Sequence, residues 1–571
     1  MRNLLEFTYP TLLILIFSGL FFVGLSKPVI IDLDEGAYAE VSREMYLDSE
    51  AIVPTFNGED YFEKPPMLYW MQMLGYHLFG ISTLGARFFN ALSGVATILI
   101  LYIGARGALG ARTAFHASLI LGSSFLFVYL SRVAMTDMLL TMFLTLCLVS
   151  SWYGVERTLN GKNGTGLFWL GCLSAALAML SKGAIGALFP ILTALIYLSL
   201  IGRLTLLFRK NWILPGAMIL IVIGFSWYLL LGFVHPEGFG FMKELFLKHH
   251  LGRFTHSMEG HSGSVFYYVI ILLVAFVPWF SYLPIAIIHL PIRNGSEPGV
   301  RFLRLFIIYT LIVFLFFTAA ATKLPNYILP ALPGLSLCIA VLFNRAEIKR
   351  PLPWHCAGWL SAILVIVLGL VLASAPFIIP YLGELLGENA RKAPALAEPL
   401  SLGYTPWFSA LILIVCGMYI IYTTRKHVIG KIFEALLLCS FLVSATLSLA
   451  IIPVYDKFFD LPLTRLAQEA AARTPEGGVI VLYEVDDRPS INFTAHRRTT
   501  YLNDRNYRDL PSLFYSPETS VGITTAYHFE QLQRLGVGVV ELSRDTGFIL
   551  FSLEQIDTLP TGTAVQESDT S

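Results

Sequence analysis

Residues 31–70 read IDLDEGAYAEVSREMYLDSEAIVPTFNGEDYFEKPPMLYW, a polar stretch set between two strongly apolar ones. It carries Asp32, Asp34, Glu35, Arg43, Glu44, Asp48, Glu59, Asp60, Glu63 and Lys64. So many ionisable groups place it outside any hydrocarbon layer that its flanks occupy. Ordinary connections take about 4–6 residues, and much longer ones are functional or disordered. Aromatic and aliphatic side chains recur at Tyr38, Val41, Met45 and Tyr46, and residues 38–47 have helical spacing behind an acidic start. The stretch reads as a folded external loop, running on to residue 82, that presents Asp34-Glu35 and Glu63-Lys64 near a membrane surface.

The flanks decide the class. The chain has 571 residues, 56% hydrophobic and 14% charged, with a mean hydropathy of +0.67. Soluble domains carry about 25% charged residues, so this is a polytopic, all-α membrane protein. About twenty apolar residues cross the hydrocarbon as a helix. Thirteen such segments are expected, centred near residues 18, 96, 122, 143, 173, 192, 222, 275, 312, 333, 367, 413 and 442. The first, with only Arg2 as a basic residue ahead of it, reads as a signal anchor that stays in place. Ser181-Lys182-Gly183 divides one long apolar run.

The loops orient the chain. With the N-terminus inside, every inner loop is basic: Arg106 and Arg112; Arg157 and Lys162; Arg203, Arg209 and Lys210; Arg293, Arg301 and Arg304; Arg345, Lys349 and Arg350; Arg425, Lys426 and Lys431. Outer loops hold most of the acids, with a few cations such as Lys64, Arg132 and Lys323. Residues 1–455 then form the membrane domain, and 456–571 a small α/β domain on the outer face with a disordered tail from about Thr561. Its expected elements are a helix over 463–472 and strands at 479–483, 537–542 and 547–551.

Exclusions narrow the function. Lys+Arg and Asp+Glu are equal at 39 each, which gives no basic surplus for nucleic acid. No Walker A loop or G-x-G-x-x-G is present, which disfavours a nucleotide-driven pump. The six cysteines lie in or beside apolar segments without C-x-x-C spacing and read as buried thiols.

Chemistry-bearing residues collect on one face: Asp34-Glu35, Glu63-Lys64-Pro65-Pro66, Asp137, the loop 248–263, Lys323 and Lys182. Each has two readings. Asp34 is a site carboxylate or a helix-end charge, and Glu35 a site acid or a first-turn acid on the helix dipole. Glu63-Lys64 is a functional pair or a surface ion pair worth under about 1 kcal/mol. Asp137 is a pocket acid or an N-terminal helix acid. Lys182 and Lys323 face an anion or snorkel. His249, His250, His256 and His261 fall within thirteen residues and suit a metal or phosphate, or are structural. A carboxylate among cations fits transfer to or from a membrane-bound anion, the carboxylate taking a proton and lysine neutralising phosphate.

At these residues a resemblance enters. D-E-x-x-Y-A-E-x-S-R-E-M at 34–45 and V-P-x-x-N-G-x-x-Y-F-E-K-P-P-x-x-Y-W at 53–70 resemble the bacterial aminoarabinose (4-amino-4-deoxy-L-arabinose) lipid A transferases. These are grouped with the protein O-mannosyltransferases among the integral-membrane glycosyltransferases of GT-C fold. Thr136-Asp137, Ser181 to Gly183, His250 to Phe254, His261 with Phe266-Tyr267-Tyr268, and Lys323 to Pro330 extend the similarity over most of the chain. Ala37 departs from it, standing where relatives close to the lipid A enzymes often have Arg.

The resemblance implies thirteen transmembrane helices, an outer C-terminal domain and a bacterial inner (plasma) membrane. It implies Asp34 as catalytic carboxylate and Asp137 as second pocket acid. Lys64 would hold the donor phosphate, with Tyr38, Arg253, Lys323 and Tyr327 around it, and Glu63 with His261 would contribute to a divalent-metal (zinc or similar) site. The expected activity is transfer of a sugar from polyprenyl phosphate, without any nucleotide, to a lipid or protein acceptor at the outer face. Aminoarabinose to lipid A is one form and Ser/Thr mannosylation another. A lipid-linked sugar flippase is the rival from a different class; it would place its ionisable residues at the bilayer midplane.

Overall fold

A computed structural model of the chain describes residues 2–243, 263–290, 297–345, 351–386, 402–485, 488–514 and 519–554. It divides into two compact units. One comprises Met1–Ile378 with Ser401–Lys457, the other Ile379–Leu400 with Phe458–Ser571.

The first unit is helical. In chain order it contains α1 (Arg2–Phe22), α2 (Asp34–Leu47), α3 (Met67–Phe79), α4 (Thr83–Leu109), α5 (Ala111–Ser123), α6 (Phe125–Arg132), α7 (Thr136–Leu159), α8 (Thr165–Lys182), α9 (Ile185–Leu200), α10 (Lys210–Gly224) and α11 (Ser226–Val234). Later helices include Pro298–Ala319, Leu332–Arg345, Thr405–Arg425 and Ile429–Thr446, and Pro351–Leu386 belongs to this unit as far as Ile378. By length and composition eight described helices can cross a membrane, or eleven if each of three bent pairs is one span. Phe7–Phe22 and Ile185–Leu200 are shorter apolar helices. Each of the thirteen expected segments thus coincides with a helix or a bent pair.

The departures have local causes. Lys182 ends α8 because Gly183 takes φ +73°, a helix-terminating conformation that glycine adopts without strain. The eighth expected span is no straight helix: Tyr267–Ala275 and Trp279–His289 meet at 116°. Pro278, at this bend, lacks the N–H that a continuing helix would need. Small residues let neighbouring helices touch; a Cβ on Gly75 of α3 would stand 2.0 Å from the Gly85 carbonyl oxygen of α4.

Between α1 and α4 the external loop folds on itself. The antiparallel pair β1 (Thr55–Phe56) and β2 (Glu59–Asp60) turns at Asn57-Gly58, where Glu44 accepts from Thr55 Oγ1 at 2.7 Å and Gly58 N at 3.2 Å. The loop is pinned to the bundle by tryptophans: Trp70 Nε1 donates to the Ala51 carbonyl at 2.8 Å, and Trp227 of α11 to Ile52 at 2.7 Å. α2 buries ten of its fourteen residues, so it packs as part of a core although its sequence is polar.

The second unit is an α/β sandwich of its own. Strands β3 (Val479–Tyr483), β4 (Arg498–Leu502), β5 (Thr519–Thr525), β6 (Val539–Asp545) and β7 (Phe548–Leu553) form one sheet, ordered β4-β3-β5-β7-β6. The β4-β3-β5 pairs are parallel and the β5-β7-β6 pairs antiparallel. Helix Leu461–Arg473 covers one face and Ala526–Arg534 the other, each with its own apolar core. The expected strands at 537–542 and 547–551 sit two and one residues further on, and β4 and β5 were not expected. Their sequences, RTTYL and TSVGITT, carry too little apolar alternation to announce a strand. The tail from Thr561 lies outside the described residues.

Candidate active site

Glu35 sets the geometry. It lies in the first turn of α2 and is 2% exposed. Arg87 of α4 donates Nε to Oε1 at 2.7 Å and Nη2 to Oε2 at 2.6 Å. The same carboxylate accepts from Ile31 N at 3.0 Å and from Ala134 N at 2.7 Å. Arg87 also donates to the carbonyls of Pro28 at 2.9 Å and Val29 at 2.8 Å. A bidentate pair whose other lone pairs are also filled is a rigid clasp. Glu35 is therefore fully occupied in holding the fold, neither a free site acid nor a surface helix acid, and Arg87 was not singled out from sequence. No spacing rule relates residues that lie 52 apart in the chain.

One residue earlier, Asp34 is half-buried at the start of α2. Tyr38, one turn on and 1% exposed, donates its hydroxyl to Asp34 Oδ1 at 3.3 Å. Lys64 is buried at 8% exposure, with Nζ 5.7 Å from the Tyr38 ring centroid and 3.5 Å from Glu63 Oε2. Burial first, and then the charges of Asp34 and Glu63 among other neighbours, push the phenols of Tyr38, Tyr61 and Tyr69 well above their ordinary value. All three stay protonated beside two carboxylates, Tyr38 donating to Asp34. The Tyr69 hydroxyl is buried without a hydrogen-bond partner. Tyr61 and Tyr69 fall inside the motif, yet as aromatics in an aromatic-rich chain they carried no separate signal.

A second polar group lies at the start of α7. Asp137, 1% exposed, accepts from Lys182 Nζ at 2.5 Å and from Asn326 Nδ2 at 2.9 Å. Lys182 also sits 4.5 Å from the Tyr327 ring centroid. The structure thus brings Asp137, Lys182 and Tyr327 together from three separate stretches, and adds Asn326. Asn90 of α4 shapes the approach to α7 by donating to the Val133 carbonyl at 2.8 Å and to Met135 at 2.7 Å. A single packed cluster contains Tyr38, Tyr69, Leu139 and Leu180, so both polar groups border the same core.

Lys323 stands apart from these. Its ammonium donates to the Thr318 carbonyl at 2.8 Å and to Ala320 at 2.5 Å, at the end of helix Pro298–Ala319. Two of its three hydrogens are used there, and burial lowers its pKa. Arg253, His261 and the other loop histidines lie outside the described residues. Glu63 faces the Lys64 ammonium, and among the described residues no three His, Cys, Asp or Glu side chains are grouped to hold a metal ion.

Residues 32–239 match the family described as dolichyl-phosphate-mannose-protein mannosyltransferase. An undecaprenyl phosphate-α-4-amino-4-deoxy-L-arabinose arabinosyl transferase of Shewanella sediminis is 26% identical, over 90% of this chain and 89% of its own. The chain belongs to this family of GT-C membrane glycosyltransferases. An uncharacterised protein of Aquifex aeolicus is 30% identical over 56% of this chain and 69% of its own length. The chain spans only 55–63% of the length of several other curated relatives that it matches. Crystalline ArnT from Cupriavidus metallidurans, bound to undecaprenyl phosphate, superposes with a TM-score of 0.74 at 21% identity, covering 95% of this chain and 97% of that one. That likeness carries the fold, a membrane bundle with a small sheet domain as read from the sequence.

Proposed function

We propose that the protein transfers a sugar from a polyprenyl-phosphate donor to an acceptor at the outer membrane face, with aminoarabinose and lipid A as the preferred pair. The observation that carries this reading is the first loop, which buries Lys64 within reach of the Tyr38 ring and hangs Asp34 on the same tyrosine. An ammonium next to a carboxylate suits a phosphodiester whose sugar is leaving: Lys64 neutralises the phosphate while Asp34 faces the anomeric carbon or the acceptor. Names of relatives support the substrates, since several are undecaprenyl phosphate-aminoarabinose transferases.

The proposed step balances simply. An acceptor oxygen forms a bond to the anomeric carbon with inversion, and the bond to the phosphate oxygen breaks. The electron pair leaves with polyprenyl phosphate, already an anion at neutral pH. A phosphate acceptor needs little deprotonation, so Asp34 then orients it or stabilises positive charge on the sugar. A Ser/Thr hydroxyl would need Asp34 as base; the match to mannosyltransferases over residues 32–239 supports this second reading. Asp137, held by Lys182 and Asn326, is proposed as the second acid of the pocket, with Tyr327, Lys323 and Arg253 completing the phosphate surroundings. We further propose an inner-membrane placement with the N-terminus cytoplasmic and the C-terminal unit periplasmic. A divalent ion between Glu63 and His261 is proposed only to order the loop.

Purified protein in proteoliposomes with labelled undecaprenyl-phosphate aminoarabinose and lipid A tests the reading. Label appearing on lipid A supports it, and label on a peptide supports the mannosyltransferase form. Label that crosses the bilayer without being transferred overturns it in favour of a flippase.

A further inference from the structure

Arg132 ends α6 as a buried cation, 7% exposed. Its Nη1 donates to the carbonyls of Leu20, Phe21 and Val23 at 2.9, 3.0 and 2.9 Å. These carbonyls close the C-terminal end of α1, where a helix carries about half a negative charge, so the cap offsets only part of the guanidinium. Nε and Nη2 bear three further hydrogens, and among the described residues none of them has an acceptor. The charged group within electrostatic reach of Arg132 is a second cation, Arg87. The acids nearby are taken up by Arg87: Glu35 pairs with it, and Asp456, which accepts from Val29 N at 3.1 Å, lies within its reach. A buried positive charge without a counter-charge is costly at membrane depth.

A cavity of about 20 Å³ adjoins both guanidiniums. Leu25, Ile31, Val133 and Ile452 give it apolar walls, and Ser448 brings a hydroxyl to it. Ser448 is 2% exposed, and its Oγ makes no hydrogen bond. It lies in the π-helical turn Leu447–Ile451, which continues helix Ile429–Thr446. The serines one and two turns before it, Ser444 and Ser440, both donate to the Ser123 carbonyl, at 2.7 and 2.9 Å. The third serine of that row lines the cavity instead. Donors from two distant parts of the chain, one of them charged, therefore border one small space and lack an acceptor.

Size and sign define the occupant. A space of this volume takes one water-sized particle, which excludes a phosphate group or a sugar. A water molecule would satisfy the hydroxyl and leave the charge without compensation. We propose that the cavity is a halide site that holds one chloride ion between Arg132 and Ser448. The ion accepts from the guanidinium and from Ser448 Oγ, and it ties the ends of α1 and α6 to the π-helical turn. It neutralises a structural cation and touches no substrate, so the site stands or falls independently of the transfer reaction.

Melting curves of the full-length protein in nanodiscs, in sodium chloride and in sodium gluconate at equal ionic strength, test this. The expected result is a higher midpoint in chloride, a gain that saturates as chloride rises, and a similar gain in bromide. Crystals grown in bromide should show its anomalous scattering beside Arg132. The gain should vanish in Arg132→Met and need about tenfold more chloride in Ser448→Ala. Ser448→Ala leaves the cap on α1 intact and so decides the matter if Arg132→Met does not fold. Equal midpoints in the two salts, a gain unchanged in Ser448→Ala, or bromide bound only elsewhere would each overturn the proposal.

Discussion

Glu35 holds two stretches of chain that lie 52 and 99 residues beyond it: its Oε1 accepts from Arg87 Nε at 2.7 Å and from Ala134 N at 2.7 Å. Asp34 is its immediate neighbour, and Asp137 lies three residues after Ala134. A buried carboxylate thus ties the starts of α2 and α7, the two helices that carry the proposed acids.

Breaking this clasp should unfold the loop. Removing one partner of a buried ion pair leaves an uncompensated charge and costs about 3–5 kcal/mol. Arg87→Met is therefore expected to lower the thermal midpoint sharply in detergent and expose the loop to protease, with Glu35→Gln/Arg87→Met recovering part of the loss. A midpoint equal to that of the wild type in Arg87→Met would contradict it.

The loop should also be sensitive to alkali. Tyr38, Tyr61 and Tyr69 have pKa values raised in the folded protein by burial and the nearby carboxylates, against about 10 when unfolded. Below about pH 10 neither state loses these protons, and the full stability is present. Above it the unfolded chain ionises while the folded loop cannot, so stability falls as pH rises. Tyr38→Phe/Tyr69→Phe should flatten this fall, as read by melting curves from pH 8 to 11. An unchanged slope would show that the phenols do not govern it.

Topology gives a third outcome. A reporter after Ser571 should read as periplasmic and one near Lys162 as cytoplasmic, because every inner loop in that register is basic. A cytoplasmic C-terminus would show that one apolar segment does not cross, with the pair bent by 116° as the first suspect.

The sequence displayed the periodic and the polar parts of this molecule unequally. Thirteen apolar segments were legible because hydrocarbon demands long unbroken runs, and α2 because its aromatic spacing matched a helix. Asp34, Tyr38 and Lys64 were legible through a motif. The Glu35–Arg87 clasp was not, since a buried pair between distant residues leaves no local pattern, nor was Asn326, a neutral amide beside a named tyrosine. Lys323 read as an anion partner or a snorkelling cation, and its donation to the Thr318 and Ala320 carbonyls was not legible because backbone acceptors leave no sequence pattern. β4 and β5 are threonine-rich strands of a sheet completed only by their neighbours, so their burial was invisible to any window of sequence.

Metal dependence follows from the loop. If a divalent ion held by Glu63 and His261 orders it, thorough chelation should lower activity without abolishing chemistry, and added zinc should restore it. Full activity after chelation would remove the ion from the proposal.

The most direct measurement is the single-turnover rate of sugar transfer by Asp34→Asn in purified, inserted protein, with Glu50→Gln as control. Asp34→Asn keeps the size and an acceptor for Tyr38 but loses charge and basicity, while Glu50 only accepts from Ile52 N at 2.7 Å and Val53 N at 3.4 Å, as glutamine also can. The account predicts a fall of about 10² or more for Asp34→Asn, weakened donor binding for Lys64→Ala, and near-normal transfer for Glu50→Gln. Transfer at the wild-type rate by Asp34→Asn would contradict the assignment of the first loop as the catalytic centre.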